Sequence, residues 1–439
     1  MVPLAARSLL AGAVLVFVKM VRDLSLVVLL VTPATPLLSV VTYRYATEGF
    51  AQFANAITVM IAAISVAATV LARRLQGAAQ PLGGEVTRTA EPIVRPDGPD
   101  EPTTSEVPAI RLRRLTRRFG SVTAVDAVDL EVPAGSFLVL LGPSGCGKTT
   151  TLRMLAGLES PSGGSIELAG RTVADGDDGR TVAPARRGAG LVFQSYALWP
   201  HMTVHANIAW PLKIAKWPKP QRQARVQEVM QMLAIDELAG RYPGEISGGQ
   251  QQRVAIARTL APQPGVLLFD EPLSNLDAKL RIETRSELLR IHRATGATSV
   301  YVTHDQVEAM TMATHVALMR DGRVEQFGPP HELVSRPASS FVATFMGTPP
   351  ANLLPGPDGT ELMYRAESLR LDPQGSLTLK VLEKSPMAGR WILSGTTQGR
   401  RVSVATADEP REGFGDVMRL ATPATPDAIF GTDGQRVPT

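Results

Sequence analysis

The chain has 439 residues and a mass of 46.9 kDa, enough for two to four domains at about 100–200 residues each. Its 45 Lys and Arg against 41 Asp and Glu give a net charge of +4, and residues 1–76 hold that whole excess, with six basic residues against two acidic, so the neutral remainder argues against a nucleic-acid-binding body. A single cysteine, Cys146, excludes internal disulfides and multi-cysteine zinc sites, and a 44% hydrophobic content excludes wholesale disorder or a collagen-like chain.

Two apolar stretches open the chain. Ser8–Val31 carries Lys19, Arg22 and Asp23 near its middle. Such charges are costly at a helix centre, but Lys19 and Asp23 are four apart and can pair on one face, which suits a helix packed inside a bundle. Gly49–Ala72 runs 24 residues without a charge and closes on Arg73-Arg74. A helix of that length spans about 36 Å against a bilayer core of roughly 30 Å, so residues 53–72 read as a transmembrane helix, with a buried globular helix as the competing reading. A cleavable signal peptide is the alternative for the start, although a second span follows and no clear small-residue cleavage site intervenes. Arg7 before the first span and Arg73-Arg74 after the second place both flanks, and all that follows, in the cytoplasm. Residues 76–108, rich in Pro, Gly, Thr and acidic residues, read as a flexible linker.

SFLVLL (136–141) is a short apolar run consistent with a buried strand, followed by GPSGCGKT (142–149) and the helix-like TTLRMLAGL. Strand, Gly-rich loop and helix in that order form a phosphate cradle. Gly142, Gly145 and Gly147 let backbone N–H groups curl around phosphate oxygens, and the helix start adds its dipole. Pro143, Ser144, Cys146 and Thr150 complete the loop and first turn; Lys148 reaches terminal phosphates, and the Thr149 hydroxyl can bind Mg²⁺. Cys146 reads as a small loop filler, with a redox sensor as the sharper alternative. GVLLFDE (265–271) is a second apolar strand ending in two carboxylates: Asp270 can hold Mg²⁺ opposite the cradle, and Glu271 can act as general base on an attacking water. Between them, ISGGQQQRVAIARTL (246–260) opens an amphipathic helix with a Ser-Gly-Gly turn, either an ordinary N-cap or a second anion-binding helix start.

Together the cradle, ISGGQ, LLFDEPLSNLD (267–277) and YVTHD (301–305) resemble the nucleotide-binding domain of ABC transporters over about residues 109–345. That resemblance implies ATP and Mg²⁺ as cofactors and an α/β P-loop NTPase fold with a helical subdomain at about 196–262. It implies that Phe119 stacks on adenine, that Gln194 senses Mg²⁺ and the γ-phosphate, and that Ser247, Gly248, Gly249 and Gln250 form the signature. Asp277 ends the D-loop, and His304 is the switch histidine. It also implies a head-to-tail dimer in which each copy lays its signature over the ATP held by the other.

QSYALWPHMTV (194–204) is similar to importer ATPases for ferric iron, polyamines, sugars and glycerol phosphate. FMGTPPANLLPG (345–356) and YRAESLRL (364–371) resemble the start of their small C-terminal β-barrel, OB/TOBE-like, here expected over 346–439; the usual Arg-Pro-Glu stands as Arg365-Ala366-Glu367. LTLKVLEK, RWILSG and RRVSVATA alternate as short strands do. Residues 1–75 resemble the tail of an iron-type importer permease, which implies either a fusion of a truncated permease to its ATPase or a start placed within a longer reading frame. The implied protein is an ATP-hydrolysing importer subunit at the cytoplasmic face of the inner membrane. Its partners are a second copy of itself, permease subunits and, indirectly, a periplasmic or lipid-anchored solute-binding protein, with no nucleic acid. Ferric iron is the expected cargo and a sugar or glycerol phosphate the alternative. An exporter half-transporter and a non-transport ABC ATPase are the competing classes; too little chain precedes the cradle for the first, and a single cradle without sustained heptads disfavours the second.

Overall fold

The computed structural model describes residues 107–438 except 275 and 276. Both expected membrane spans and nearly all of the expected linker lie outside the described residues; among those described, no helix is long and apolar enough to cross a membrane.

In chain order, β1 (Ile110–Phe119), β2 (Val122–Val132) and β3 (Phe137–Leu141) lead into α1 (Lys148–Ala156), followed by β4 (Gly163–Leu168), β5 (Arg171–Asp175), β6 (Arg180–Thr181) and β7 (Ala189–Val192). Three helices come next, α2 (Val204–Ile214), α3 (Lys219–Met232) and α4 (Gly248–Leu260). Then follow β8 (Val266–Asp270), α5 (Ala278–Thr295), β9 (Thr298–Val302), α6 (Gln306–Met312), β10 (His315–Arg320), β11 (Arg323–Gly328), α7 (Pro330–Ser335) and α8 (Ser340–Phe345). The strands of the remainder are β12 (Asn352–Pro355), β13 (Glu361–Tyr364), β14 (Arg370–Leu371), β15 (Leu377–Met387), β16 (Arg390–Thr397), β17 (Arg400–Thr406), β18 (Val417–Ala421) and β19 (Ala428–Phe430).

A six-stranded sheet in the order β11-β10-β3-β9-β8-β7 forms the centre. Neighbours from β10 to β7 are parallel, and β11 alone is antiparallel. Every residue of β3, β8 and β9 is buried, because side chains alternate between two covered faces. Phe137, Val139 and Leu141 point into one core with Ile208 of α2, Val229 of α3, Val254 of α4 and Leu288 of α5. Leu138 and Leu140 point into another with Leu152 and Leu155 of α1 and with Leu112 and Ile166. Those last two belong to an antiparallel sheet, β2-β1-β4-β5-β6, lying over the opposite face. Each fully buried Leu, Val or Phe contributes about 1.5–3 kcal/mol relative to exposure, so the central strands are fixed from both sides. This is why the apolar runs at 136–141 and 265–269 show no alternation in sequence.

The C-terminal strands form two antiparallel sheets, β12-β13-β19 and β14-β18-β15-β16-β17, a curled arrangement consistent with the expected barrel. The three alternating segments fall in β15, β16 and β17, with Leu379, Val381, Leu393, Val402 and Val404 turned into a shared core. Asn352 joins the sheets by acting as a strand partner for Ser403: its amide donates to the Ser403 carbonyl at 2.8 Å and accepts the Ser403 N–H at 2.7 Å.

Arg365 fastens this part to the two short helices before it. Its guanidinium donates to the carbonyls of Val334 (2.6 Å), Met346 (2.7 Å) and Ala343 (3.2 Å), at the ends of α7 and α8, where helix carbonyls lack partners of their own. Its backbone N–H is held by Asp427 at 2.7 Å. The Arg-Ala-Glu departure therefore keeps the residue that makes the contact. Arg365→Ala should cost about 2–3 kcal/mol and lower the melting temperature of the full chain by several degrees, whereas Arg365→Lys, which keeps a charge but not the fork, should fall between; equal melting curves for all three would contradict this.

Candidate functional site

The sheet order explains how segments far apart in sequence meet. The phosphate loop leaves the carboxyl end of β3, Gln194 follows β7, Asp270 and Glu271 end β8, and Thr303-His304 follow β9. These are neighbouring parallel strands, and their carboxyl ends form the crevice where open α/β sheets bind ligands.

In the loop, Gly142 has φ +147° and Gly147 φ +102°. A Cβ at Gly142 would press on the Met319 carbonyl oxygen, and one at Gly147 on that of Ala124. The loop is thus both left-handed and closely backed, which only glycine allows. Lys148 is buried, and its ammonium donates to the carbonyls of Gly142 (2.7 Å) and Pro143 (2.8 Å), which fixes its charge at the loop's centre. Cys146 lies beneath, its Sγ 3.7 Å from the Lys148 Nζ. Burial pushes its thiol pKa up, against the pull of Lys148, so it is packed as a filler and not poised as a thiolate.

Across the crevice, the Thr149 hydroxyl donates to Asp270 Oδ1 at 3.3 Å. Burial raises the Asp270 pKa, opposed by Arg153 and the Thr149 hydrogen bond. A buried carboxyl beside a hydroxyl is a hard oxygen pair suited to Mg²⁺, and a cation there would offset the desolvation. The next residue, Glu271, has φ +44°, an uncommon conformation for a side chain of its size. That turn aims its carboxylate at His304, whose Nδ1 lies 3.7 Å from Oε2; the two side chains are 65% (His304) and 26% (Glu271) exposed. A cleft of about 60 Å³ opens here, lined by Glu271, Ser274, Arg281, Thr303, His304 and Glu308 among others. Gln194 reaches the same place, since its amide donates to Ser274 Oγ at 3.1 Å, which in turn donates to the Glu271 carbonyl at 2.9 Å.

Other expected residues stand apart. Ser247 caps α4, its Oγ accepting the Gln250 N–H at 3.4 Å while Gln250 Oε1 accepts the Ser247 N–H at 2.9 Å, a capping box. Gly249 packs against Leu280 of α5, and the exposed Asp277 caps α5 by accepting the Leu280 N–H at 3.0 Å. Among the described residues, no hydrogen bond or ion pair joins Ser247, Gly248, Gly249 or Gln250 to the phosphate loop of the same chain. Phe119 is 45% exposed, with the Arg117 guanidinium 4.5 Å over its ring.

Two contributors were not legible in sequence. Arg258 of α4 donates to the carbonyls of Ala197 (2.6 Å) and Tyr196 (2.9 Å) and lies 4.9 Å over the Trp199 ring. Tyr196 and Ala197 both have positive φ, 61° and 48°, so the guanidinium holds a strained turn just after Gln194. The second is Glu308, buried behind His304. Neither residue's role shows in the spacing of its segment: Arg258 sits in 246–260 but acts on Tyr196 and Ala197, and Glu308 follows the 301–305 segment it binds.

The sequence model of the ABC transporter family matches residues 125–274. A trehalose/maltose import ATP-binding protein of Thermococcus litoralis is 54% identical over 245 residues, covering 56% of this chain and 66% of that protein. An sn-glycerol-3-phosphate import ATP-binding protein of Brucella abortus is 41% identical over 341 residues, covering 72% of this chain and 95% of that protein. Another of the same description from Rhizobium johnstonii is 46% identical over 323 residues, covering 74% and 80%.

The glycines offer a direct test of the loop. Gly147→Ala forces both a left-handed φ and a backbone collision and should cost more than the about 1–3 kcal/mol of backbone strain alone. Gly145→Ala, at φ +81° with nothing within 4 Å, should cost only the dihedral part, so chemical melts should rank Gly147→Ala well below Gly145→Ala.

Proposed function

The chain belongs to the ATP-binding proteins of ABC importers, and we propose that it hydrolyses ATP at a site shared by two copies, driving uptake of a sugar or a glycerol-phosphate-like solute. The observation that carries this is the meeting of Thr149 with Asp270 and of Glu271 with His304 at the carboxyl ends of adjacent strands, beside the Lys148 loop. In this reading Lys148, the loop amides of Gly142–Gly147 and the first turn of α1 at Thr149 and Thr150 grip the phosphates. Thr149 and Asp270 would hold Mg²⁺, aided by Gln194; when bound, the ion neutralises phosphate oxygens. Glu271 orients and deprotonates the attacking water, and His304, beside it, contacts the terminal phosphate. Phe119 stacks on the adenine.

Ser247–Gln250 and Asp277 are proposed to serve the partner copy's nucleotide. The start of α4 supports this, since Ser247 and Gly248 are exposed there and a helix N-terminus favours an anion. The relatives are named for trehalose/maltose and glycerol 3-phosphate, which favours the sugar or glycerol-phosphate alternative over ferric iron as cargo. Permease subunits, a solute-binding protein and a place at the cytoplasmic face of the membrane complete the proposal.

Lys148→Ala should lower phosphate release by about 100-fold or more; full turnover in that variant would refute the phosphate role. Glu271→Gln should retain ATP binding while slowing hydrolysis by about 10²–10⁴-fold, and should elute as a dimer on gel filtration with Mg·ATP. Monomer alone under those conditions would sink the shared site. Cells lacking the gene should lose uptake of labelled sugar or glycerol 3-phosphate and keep that of ferric iron; the reverse would restore the iron reading.

A further inference from the structure

Glu308 is a carboxyl group that the proposed chemistry leaves unused, yet it is only 4% exposed and lines the cleft that holds Glu271 and His304. Its Oε2 accepts two hydroxyls, Thr303 Oγ1 at 2.6 Å and Tyr301 Oη at 2.9 Å. The Thr303 hydroxyl accepts the Asp305 N–H at 3.0 Å, so its single hydrogen is left to point at Glu308. Burial and the neighbouring Glu308 hold the Tyr301 hydroxyl pKa well above its usual value, which keeps it a donor. Tyr301 is itself wedged between Phe137 of β3 and Phe269 of β8, with ring centroids at 6.0 and 6.3 Å; Phe269 immediately precedes Asp270. Asp305 closes the turn by capping α6, accepting the Val307 N–H at 2.7 Å and that of Glu308 at 3.3 Å. The residues on both sides of His304 are thus tied to one buried oxygen, and that oxygen is tied through Tyr301 to the strands carrying the phosphate loop and Asp270.

We propose that Glu308 is a positioning residue for hydrolysis: it holds the Thr303–Asp305 turn so that His304 stands beside Glu271. This rests on the reading of Glu271 and His304 as the hydrolytic pair. A side chain acting this way affects turnover more than nucleotide binding, because the Lys148 loop and Phe119 lie on other elements.

The test is steady-state ATPase of the full chain for wild type, Glu308→Gln, His304→Ala and the double variant, with melting curves for each. The Gln amide keeps the shape but buries an NH₂ donor where a second acceptor oxygen stood. Glu308→Gln is expected to lower kcat about 10–100-fold and to leave the KM for ATP within about twofold. In the His304→Ala background it should add less than about twofold, because the residue it positions is gone. Thr303→Val, which removes one of the two hydroxyls, should show the same pattern more weakly, and it carries the test if Glu308→Gln does not fold. Unchanged kcat in the folded variants, or losses that multiply fully in the double variant, would overturn the proposal while the hydrolytic pair stands. If His304→Ala itself leaves kcat unchanged, the pair reading fails and this proposal with it.

Discussion

Burial of the central parallel strands on both faces is the constraint from which the rest follows. Phe137, Val139 and Leu141 are held by helices on one side, and Leu138 and Leu140 by α1 and the antiparallel sheet on the other. A strand caught this way cannot slip by one residue without turning its whole side-chain set to the wrong face. The carboxyl ends of β3, β7, β8 and β9 are therefore fixed relative to one another, and every group proposed to act on the nucleotide within one copy, apart from Phe119, projects from those ends. The site's precision, such as the 3.3 Å between Thr149 and Asp270, is inherited from the core and not from the loops.

A second device recurs around that core. Buried or half-buried arginines donate to backbone carbonyls at helix ends and turns. Arg187 donates to Met154 O (2.6 Å) and Leu155 O (3.2 Å) at the end of α1. Arg225 donates to Leu260 O (3.0 Å) and Ala261 O (3.2 Å) at the end of α4. Arg258 serves the turn after Gln194, and Arg365 the ends of α7 and α8. A planar fork with several donors can satisfy two or three carbonyls at once, and its charge suits the negative ends of helices. Burial pulls the pKa of Arg187, Arg258 and Arg365 down, but a guanidinium starts high enough to stay charged. The same device thus binds α1, α4 and the C-terminal sheets to their surroundings.

Much of this was legible beforehand where the signal is local. A phosphate loop is one continuous segment with its strand before it and its helix after it, and the α/β class, the importer kinship and the alternating C-terminal strands were readable for the same reason. The cargo was read less well. Ferric iron rested on a resemblance in residues 1–75, outside the described structure, whereas the relatives that match the ATPase body are named for sugars and glycerol phosphate. The roles of Glu308 and Arg258 are not legible in sequence, because a lone acid or arginine in a helix carries no spacing signal for partners on other elements.

The amino-acid sequence by itself determined which segments can cradle an anion, because glycine's backbone freedom, a lysine and a helix start act within a few residues of one another. It also determined which strands are buried, since unbroken apolar runs have no other stable place. Only the tertiary structure decided that Glu271 turns through a left-handed backbone to face His304, that Gln194 reaches it through Ser274, and that Arg365 still grips α7 and α8 where the expected proline is absent. Those contacts join residues up to 80 positions apart, and such pairings are set by how sheets and helices pack, not by any preference the chain expresses locally.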